Sequence, residues 1–419
     1  MRPRPNHIAL ESDTLGSVVF DFRTALVTIA LVAVGLISLY SATYDAGASA
    51  MFTSQIVFAL LGLVVMLGVA FVPDRWVQIA AWPAYGLSIL LLLAVMVIGT
   101  EVNGAKSWII LGPISIQPSE FAKVGALLAT AFFLTREGRD LANWRDLGLT
   151  AAIVGAPMLI VFKEDLGSAT GFGALLLGVL LWGGADLFFL FAIVAPIAVA
   201  VAAIAGGAAT WIVLGLVALG ILLFRRSIVP TALALALSIG ATFAAPVVFE
   251  KLPTYQQVRI TVLFDQSGVD PQGYGYNLIQ SMLAIGSGGT TGKGFLQGTQ
   301  TQLRYVPEQY TDFIFSVIAE EFGLLGALLV IILLGSLIWF AVDTAYNIRS
   351  RFESLVCFGI AIIFFYHMSI NIGMTMGLAP VIGIPLPFMS KGGSSLVVNM
   401  AMVGLLLNYY RYRADVKRA

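Results

Sequence analysis

The sequence predicts an all-α, polytopic membrane helix bundle of about twelve transmembrane helices with one long extracytoplasmic loop. Three observations predict it. The chain has 419 residues, of which 59% are hydrophobic and only 11% charged, whereas soluble domains run at roughly 25% charged. Apolar runs near the ~20 residues that cross a bilayer recur along the chain. Basic residues collect in alternate connections between those runs. The same composition excludes several function classes. Net charge is zero, so no nucleic-acid surface is expected. Cys357 is the single cysteine and forbids an intramolecular disulfide framework. His7 and His367 are the two histidines and make no metal cluster. The stretch Met1 to Phe22 is polar and mixed in charge, without the short apolar core of a removable signal peptide.

The predicted spans are 24–42, 55–72, 78–98, 119–135, 148–162, 167–182, 187–205, 208–224, 228–248, 313–341, 354–377 and 394–410. Between 187 and 248 the only punctuation is Gly206-Gly207 and Arg225-Arg226, and two or three spans fit there. Basic residues decide the count and the orientation. With the N-terminus inside, the cytoplasmic side carries Arg2, Arg4, Arg23, Arg75, Arg136, Arg139, Arg145, Arg225, Arg226, Arg349 and Arg351. The tail residues Arg411, Arg413, Lys417 and Arg418 join them. An odd count would put either the Arg225-Arg226 pair or the tail outside, so charge favours twelve spans with both termini cytoplasmic. The expected organisation is one integral membrane domain over 1–419, with a cytoplasmic N-terminus at 1–23, an extracytoplasmic loop at 250–312 and a cytoplasmic tail at 411–419.

Residues 250–312 form a loop of roughly 60 residues, and loops beyond ~15 are usually functional. It holds the aspartate-rich stretch Asp265 to Pro271. Tyr276 to Ile285 follows, with apolar residues at helical spacing suited to the membrane surface. The glycine-rich stretch Gly286 to Gly294 resembles a P-loop only superficially. The first glycine of that motif would fall on Ser287, and the residue after Lys293 is Gly294 rather than Ser or Thr.

Ionisable groups at membrane depth are costly and mark candidate sites. Four stretches near the outer face carry them. In Trp108 to Lys123, Pro118 and Ser119 start a helix on which Glu120 and Lys123, three residues apart, share a face; they read either as a structural ion pair or as a substrate site. Lys163-Glu164-Asp165-Leu166-Gly167 is a tight link that reads as a solvated turn or as the seat of a functional Asp165. Asp312, last polar residue before an apolar run, is well placed as a helix N-cap or as a reactive carboxylate. Glu320 lies about 12 Å further along the helix, suited to the bundle interior, with Glu321 at its edge. Pro385 to Ser395 makes a non-helical break, tolerated at membrane depth only where it is buried in protein or faces water.

These stretches, in this order, resemble the SEDS family of cell-wall polymerases, and its elongation type, RodA, more than its division type, FtsW. The resemblance runs from about Asp21 to Leu407. It rests on Ile116-Gln117-Pro118-Ser119-Glu120, Gln280-Ser281-Met282-Leu283-Ala284-Ile285-Gly286-Ser287-Gly288-Gly289, Lys293 to Gln300, Thr311-Asp312-Phe313-Ile314-Phe315, and Pro385-Leu386-Pro387 followed by Gly392-Gly393-Ser394. Gly298 to Leu303 gives the leaning toward RodA. The chain departs from the family at Lys163-Glu164, where Gln-Pro is usual, at Lys391, where Tyr is usual, and at Ser107, where Arg often stands. It also adds two spans around 187–248 to the common ten.

The resemblance implies a peptidoglycan glycosyltransferase that polymerises lipid II into glycan strands outside the cytoplasmic membrane during elongation and releases undecaprenyl pyrophosphate. By motif, Asp312 is the essential carboxylate, Glu120 and Lys123 support it, and Asp165 is the aspartate of the second motif. The chemistry suits those residue types. A sugar hydroxyl is a weak acid, and a carboxylate placed to take its proton is worth ~10²–10⁴-fold. The departing pyrophosphate needs cationic stabilisation, for which Lys106, Lys123, Lys293 and Lys391 are candidates, with Gln280 and Ser281 as supporting polar groups. A divalent cation, magnesium or manganese, held by Glu120 and Asp165 is the other expectation. Expected partners are lipid II, a class B penicillin-binding protein acting as transpeptidase, elongation-complex membrane proteins and membrane lipids. The competing reading is a lipid II flippase, which requires polar groups through the whole membrane thickness; here the notable charges gather on one side.

Overall fold

The chain is described by a computed structural model covering residues 20–44, 49–102, 105–111, 114–162, 164–224, 226–252, 254–261 and 275–416. The aspartate-rich stretch 265–271, Lys163, Arg225, the N-terminal Arg2, Arg4 and His7, and Lys417 and Arg418 lie outside the described residues. Twelve long helices follow the predicted spans. They are α1 (Phe22–Thr43), α2 (Ser49–Ala70), α3 (Asp74–Ile98), α4 (Pro118–Leu134), α5 (Trp144–Phe162), α6 (Leu166–Trp182), α7 (Leu187–Ala205), α8 (Gly207–Leu223), α9 (Ile228–Glu250), and, beyond the shorter α10 (Thr254–Thr261), α11 (Tyr276–Gly288) and α12 (Thr299–Gln302), α13 (Ile314–Asn347), α14 (Arg351–Thr375) and α15 (Gly393–Val416). Among the described residues, eight of these are long and apolar enough to cross a membrane; α6 and α8 are apolar but shorter.

Tertiary contacts fix which ends of the helices lie together. At one end Arg23 at the start of α1 donates to Tyr410 on α15, Arg411 to the Ala70 carbonyl ending α2, and Arg351 to the Gly183 carbonyl after α6. Arg226 before α9 pairs there with Asp186 before α7. The predicted basic connections thus share one end, and the helices alternate in direction through all twelve.

Most helices share one apolar core, built from α1–α6 and α13–α15. Helices α7, α8 and α9 enclose a second, smaller one around Phe188, Val199, Val217 and Ile221. The predicted insertion is therefore a unit that satisfies its own packing.

Three features correct the sequence expectation. First, the link between α3 and α4 is a three-stranded antiparallel sheet, β1 (Thr100–Val102), β2 (Ala105–Leu111) and β3 (Ile114–Ile116). The intervening sequences Asn103-Gly104 and Gly112-Pro113 are turn formers that the all-α reading passed over. Second, the loop stretch read as suited to a membrane surface is the helix α11, which packs on protein. It buries Leu278, Ser281, Ala284 and Gly288 on one face against α13 and α14. Third, α13 is broken at Gly323, whose φ is +65° and ψ −160°. The glycine-rich stretch repairs the break. Lys293 and Gly294 donate their backbone N–H groups to the Glu320 and Glu321 carbonyls at 3.0 Å each, and Leu324 and Leu325 donate to Gly289 and Thr290 at 2.9 and 3.2 Å. A Cβ at Gly292 would lie 2.1 Å from the Glu321 carbonyl oxygen, which accounts for the glycines physically: no side chain fits where two backbones pair this closely.

Candidate active site

The end opposite the basic connections brings all four predicted stretches together. Pro118 at the start of α4 presets the first turn, and that helix carries Glu120 and Lys123 inward. Both side chains are 3% exposed, with Lys123 Nζ 2.9 Å from Glu120 Oε1. The same ammonium lies 2.9 Å from His367 Nε2 on α14. The stem of Lys123 passes Gly171 of α6, where a Cβ would sit 3.6 Å from Lys123 Cδ. Three helices thus converge on one buried cation.

Asp165 caps α6, accepting from the Ser168 N–H at 2.9 Å and the Ser168 hydroxyl at 2.7 Å. Its other partner is the Gln117 amide, which donates to Oδ2 at 3.0 Å. The Gln117 backbone N–H in turn donates to Ser394 Oγ at 3.2 Å, so one glutamine ties the first, second and fourth stretches.

Asp312 is not the helix cap. Helix α13 begins at Ile314 with Phe313 in the cap position. Asp312 is partly exposed and faces the loop at 376–392, where a Cβ on Gly383 would lie 3.3 Å from Asp312 Oδ2. Asn371 Nδ2 holds both segments, donating to the carbonyls of Asp312 at 2.8 Å and Ile384 at 2.7 Å. His367 and Asn371 are four residues apart, so they project from one face of α14, about 6 Å apart along its axis. One face of this helix therefore reaches the buried lysine and the backbone of the partly exposed aspartate together.

Lys391 joins the site through its backbone, which donates to the Tyr310 carbonyl at 2.8 Å, and its ammonium stands 5.4 Å from the Tyr310 ring centroid. Burial and the adjacent Glu308 carboxylate raise the Tyr310 phenol above its ordinary value, so the ring beneath Lys391 stays neutral.

The remaining candidates are placed differently. Lys293 Nζ is bound to Glu320 Oε1 at 2.6 Å and to Thr299 Oγ1 at 2.7 Å. Glu320 is fully buried, as expected, and also accepts from the N–H groups of Gln300 and Thr301 and from the Thr301 hydroxyl. Glu321, expected at the edge, is buried as well and accepts from Ser41 of α1. Ser281 is fully buried and donates to the Thr375 carbonyl at 2.9 Å, docking α11 on α14; the neighbouring Gln280 is partly buried. Lys106 is exposed on β2 and lines a narrow crevice between α3, α4 and α5.

The donor set does not fit a divalent cation shared by Glu120 and Asp165. Glu120 has an ammonium at 2.9 Å, and Asp165 spends its oxygens on Ser168 and Gln117. Among the described residues, no group of three or more His, Cys, Asp or Glu side chains is arranged to hold a metal ion.

Sequence reasoning gave no role to His367, Asn371, Ser168 or Gln55, the last of which bonds the backbone of Ser390 and Gly392 from α2. The signal for two of them was present: a histidine and an asparagine one turn apart in an otherwise apolar span.

The architecture is that of a polytopic helical membrane protein with a loop-lined site of acidic and basic side chains at one end of the bundle. The chain belongs to the family of cell cycle proteins named for FtsW, RodA and SpoVE, whose model matches residues 18–208 and 196–415. It is 33% identical to the peptidoglycan glycosyltransferase MrdB of Escherichia coli (strain K12) over 401 residues, 95% of each chain. It is 32% identical to the peptidoglycan glycosyltransferase RodA of Treponema pallidum, over 93% of this chain and 97% of that one. Among solved structures it resembles a chain of a peptidoglycan synthase complex that coordinates polymerization and crosslinking, with 30% identity, a TM-score of 0.71, and coverage of 94% of this chain and 99% of that one. The family membership read from the motifs, and its leaning toward RodA, are borne out.

Proposed function

We propose that this chain is a peptidoglycan glycosyltransferase that polymerises lipid II on the extracytoplasmic face during cell elongation. One observation carries the reading: two residues one helical turn apart on α14 hold the buried Lys123 ammonium, through His367, and the backbone of the partly exposed Asp312, through Asn371. In the proposed reaction a sugar hydroxyl of the acceptor attacks the anomeric carbon of the donor's N-acetylmuramic acid. The bond from that carbon to the pyrophosphate oxygen breaks, and its electron pair leaves with undecaprenyl pyrophosphate. The hydroxyl proton passes to Asp312, acting as general base. Lys123 and Lys391 compensate the charge gathering on the pyrophosphate, and Glu120 keeps Lys123 compensated in the resting site. Asp165 acts through Gln117 and the first turn of α6, and no step is assigned to a metal.

The basic end of the bundle faces the cytoplasm of a bacterium and carries both termini, by the positive-inside rule; the site then faces outward from the inner membrane, where sugars and peptide of lipid II reside. A class B penicillin-binding protein is the proposed partner, since the structural relative belongs to a complex that joins polymerization to crosslinking. The test is reconstitution of the purified chain in liposomes with lipid II, with and without that partner. Glycan polymer formed from lipid II is the expected product. Transbilayer movement of lipid II without polymer would replace this reading by the flippase one.

A further inference from the structure

We propose that His367 is a positioning residue for glycosyl transfer, aiming the Lys123 ammonium at the departing pyrophosphate; the inference rests on the role just proposed for Lys123. A buried lysine has three N–H donors on a flexible stem, and it places charge only where its acceptors hold it. Here two acceptors converge on Nζ at 2.9 Å: Glu120 Oε1 from the lysine's own helix and His367 Nε2 from α14. The third N–H has no protein acceptor among the described residues and is the one left for a ligand oxygen. For Nε2 to accept from an ammonium, the imidazole is neutral with its proton on Nδ1.

Glu120 alone does not supply this placement. It sits three residues before Lys123 on the same helix, so the pair moves with α4 as a unit. His367 refers the ammonium to a different helix, the one whose Asn371 holds the Asp312 backbone. The imidazole is 3% exposed and rigid compared with the four-carbon lysine stem. The bond from His367 thereby fixes the base and the cation against a common frame, and geometry is where catalytic rate is lost most steeply. The packing on the far side of the lysine agrees. Gly171 leaves room for the stem, and Tyr366, next to His367, donates to Thr170 Oγ1 at 2.5 Å, so α6 and α14 are locked together around this cation.

The test uses the full-length protein in liposomes and measures lipid II polymerisation and thermal stability for His367→Leu, His367→Gln, His367→Asn, Lys123→Met and the double variant Lys123→Met/His367→Leu. Glutamine carries an acceptor oxygen at a reach similar to Nε2; asparagine carries one that falls short; leucine carries none. Positioning predicts that Leu and Asn lower kcat by about tenfold or more with KM changed less than about threefold, and that Gln restores kcat to within about threefold. It also predicts that the double variant is no slower than Lys123→Met alone, because His367 acts only through Lys123. Wild-type rates for His367→Leu would overturn the proposal. So would equal losses in Leu and Gln that track a common fall in Tm, which would make His367 a packing residue, or a double variant slower than Lys123→Met. Should Lys123→Met itself polymerise normally, the role of Lys123 in the proposed function fails first, and that result is distinguishable because it needs no His367 variant.

Discussion

The pair formed by Lys293 and Glu320 separates a structural lysine from a substrate lysine, and its geometry sets the expected sizes. Glu320 Oε1 and Oε2 accept from Lys293 Nζ at 2.6 Å, the Gln300 and Thr301 N–H groups at 2.8 and 2.9 Å, and the Thr301 hydroxyl at 2.7 Å. Removing this carboxylate strands a half-buried cation and two backbone donors at the start of α12. Breaking a buried pair from one side costs about 3–5 kcal/mol. Lys293→Met is milder, because the carboxylate keeps its other donors. It forfeits a charge-assisted bond worth about 1.5–3 kcal/mol, discounted toward the lower end since the lysine is 24% exposed. Glu320→Ala should therefore destabilise the purified protein by roughly twice as much as Lys293→Met, read as the shift in Tm. Polymerisation by the folded fraction of Lys293→Met should stay within about threefold of wild type, an ~0.7 kcal/mol change in barrier. If Lys293→Met keeps its Tm and loses glycan synthesis tenfold or more, the ammonium works on substrate and the structural assignment is wrong.

Asp312→Ala should still insert and fold, and should lose polymerisation by at least about 10²-fold; a normally active variant would move the base elsewhere. The charge swap Glu120→Lys with Lys123→Glu should recover stability lost in either single change without recovering rate; recovery of both would make the pair structural. Cys357 is fully buried, so a single new thiol can report topology: Thr291→Cys should react with an impermeant reagent in intact cells and Ser227→Cys only after lysis, and the reverse pattern would invert the orientation. Gly323→Ala should cost about 2 kcal/mol or more in stability, because its Cβ would lie 2.3 Å from the Gly292 nitrogen at a φ of +65°; an unchanged Tm would refute the account of the α13 break.

The helices were legible because a span is written in composition. A run such as 228–248 needs no knowledge of its neighbours to be apolar, and the alternation of basic connections supplies direction. The long-range pairs were not legible for the converse reason. Lys293 looks like any loop lysine until the chain 27 residues later returns Glu320 to it. The break at Gly323 looks like one glycine in an apolar run until the glycine-rich stretch is seen to complete its hydrogen bonds. The same limit governs the site. Asp312, Glu120, Lys123 and Asp165 stand out by charge, while His367 and Asn371, which join them, are noticed only once α14 is seen to face both.

The loop at 376–392 shows why this site is made of irregular backbone. A helix spends its carbonyls and N–H groups on itself, so a helical segment has few to offer a neighbour. This loop offers many: the Ile384 carbonyl to Asn371, the Ser390 carbonyl and Gly392 N–H to Gln55, and the Lys391 N–H to Tyr310. It packs so closely on the flanking helices that a Cβ at Gly167 or Gly35 would fall 2.3 Å from the Ile382 oxygen or 2.5 Å from the Phe388 oxygen. Phe388 is held at a φ of +65° while fully packed against Phe364, a conformation costing about 1–3 kcal/mol that only such over-determined surroundings sustain. The arrangement also explains how a lysine is accommodated at position 391. Its docking on the Asp312 segment is made by the backbone N–H, which every residue but proline possesses, and its side chain is left over the Tyr310 ring at the edge of the site. Lys391→Tyr should accordingly fold as the wild type does, with unchanged Tm, and alter only the cationic help given to the leaving group, lowering kcat by up to about tenfold; a fall in Tm of several degrees would show that the ammonium, rather than the backbone, holds the loop in place.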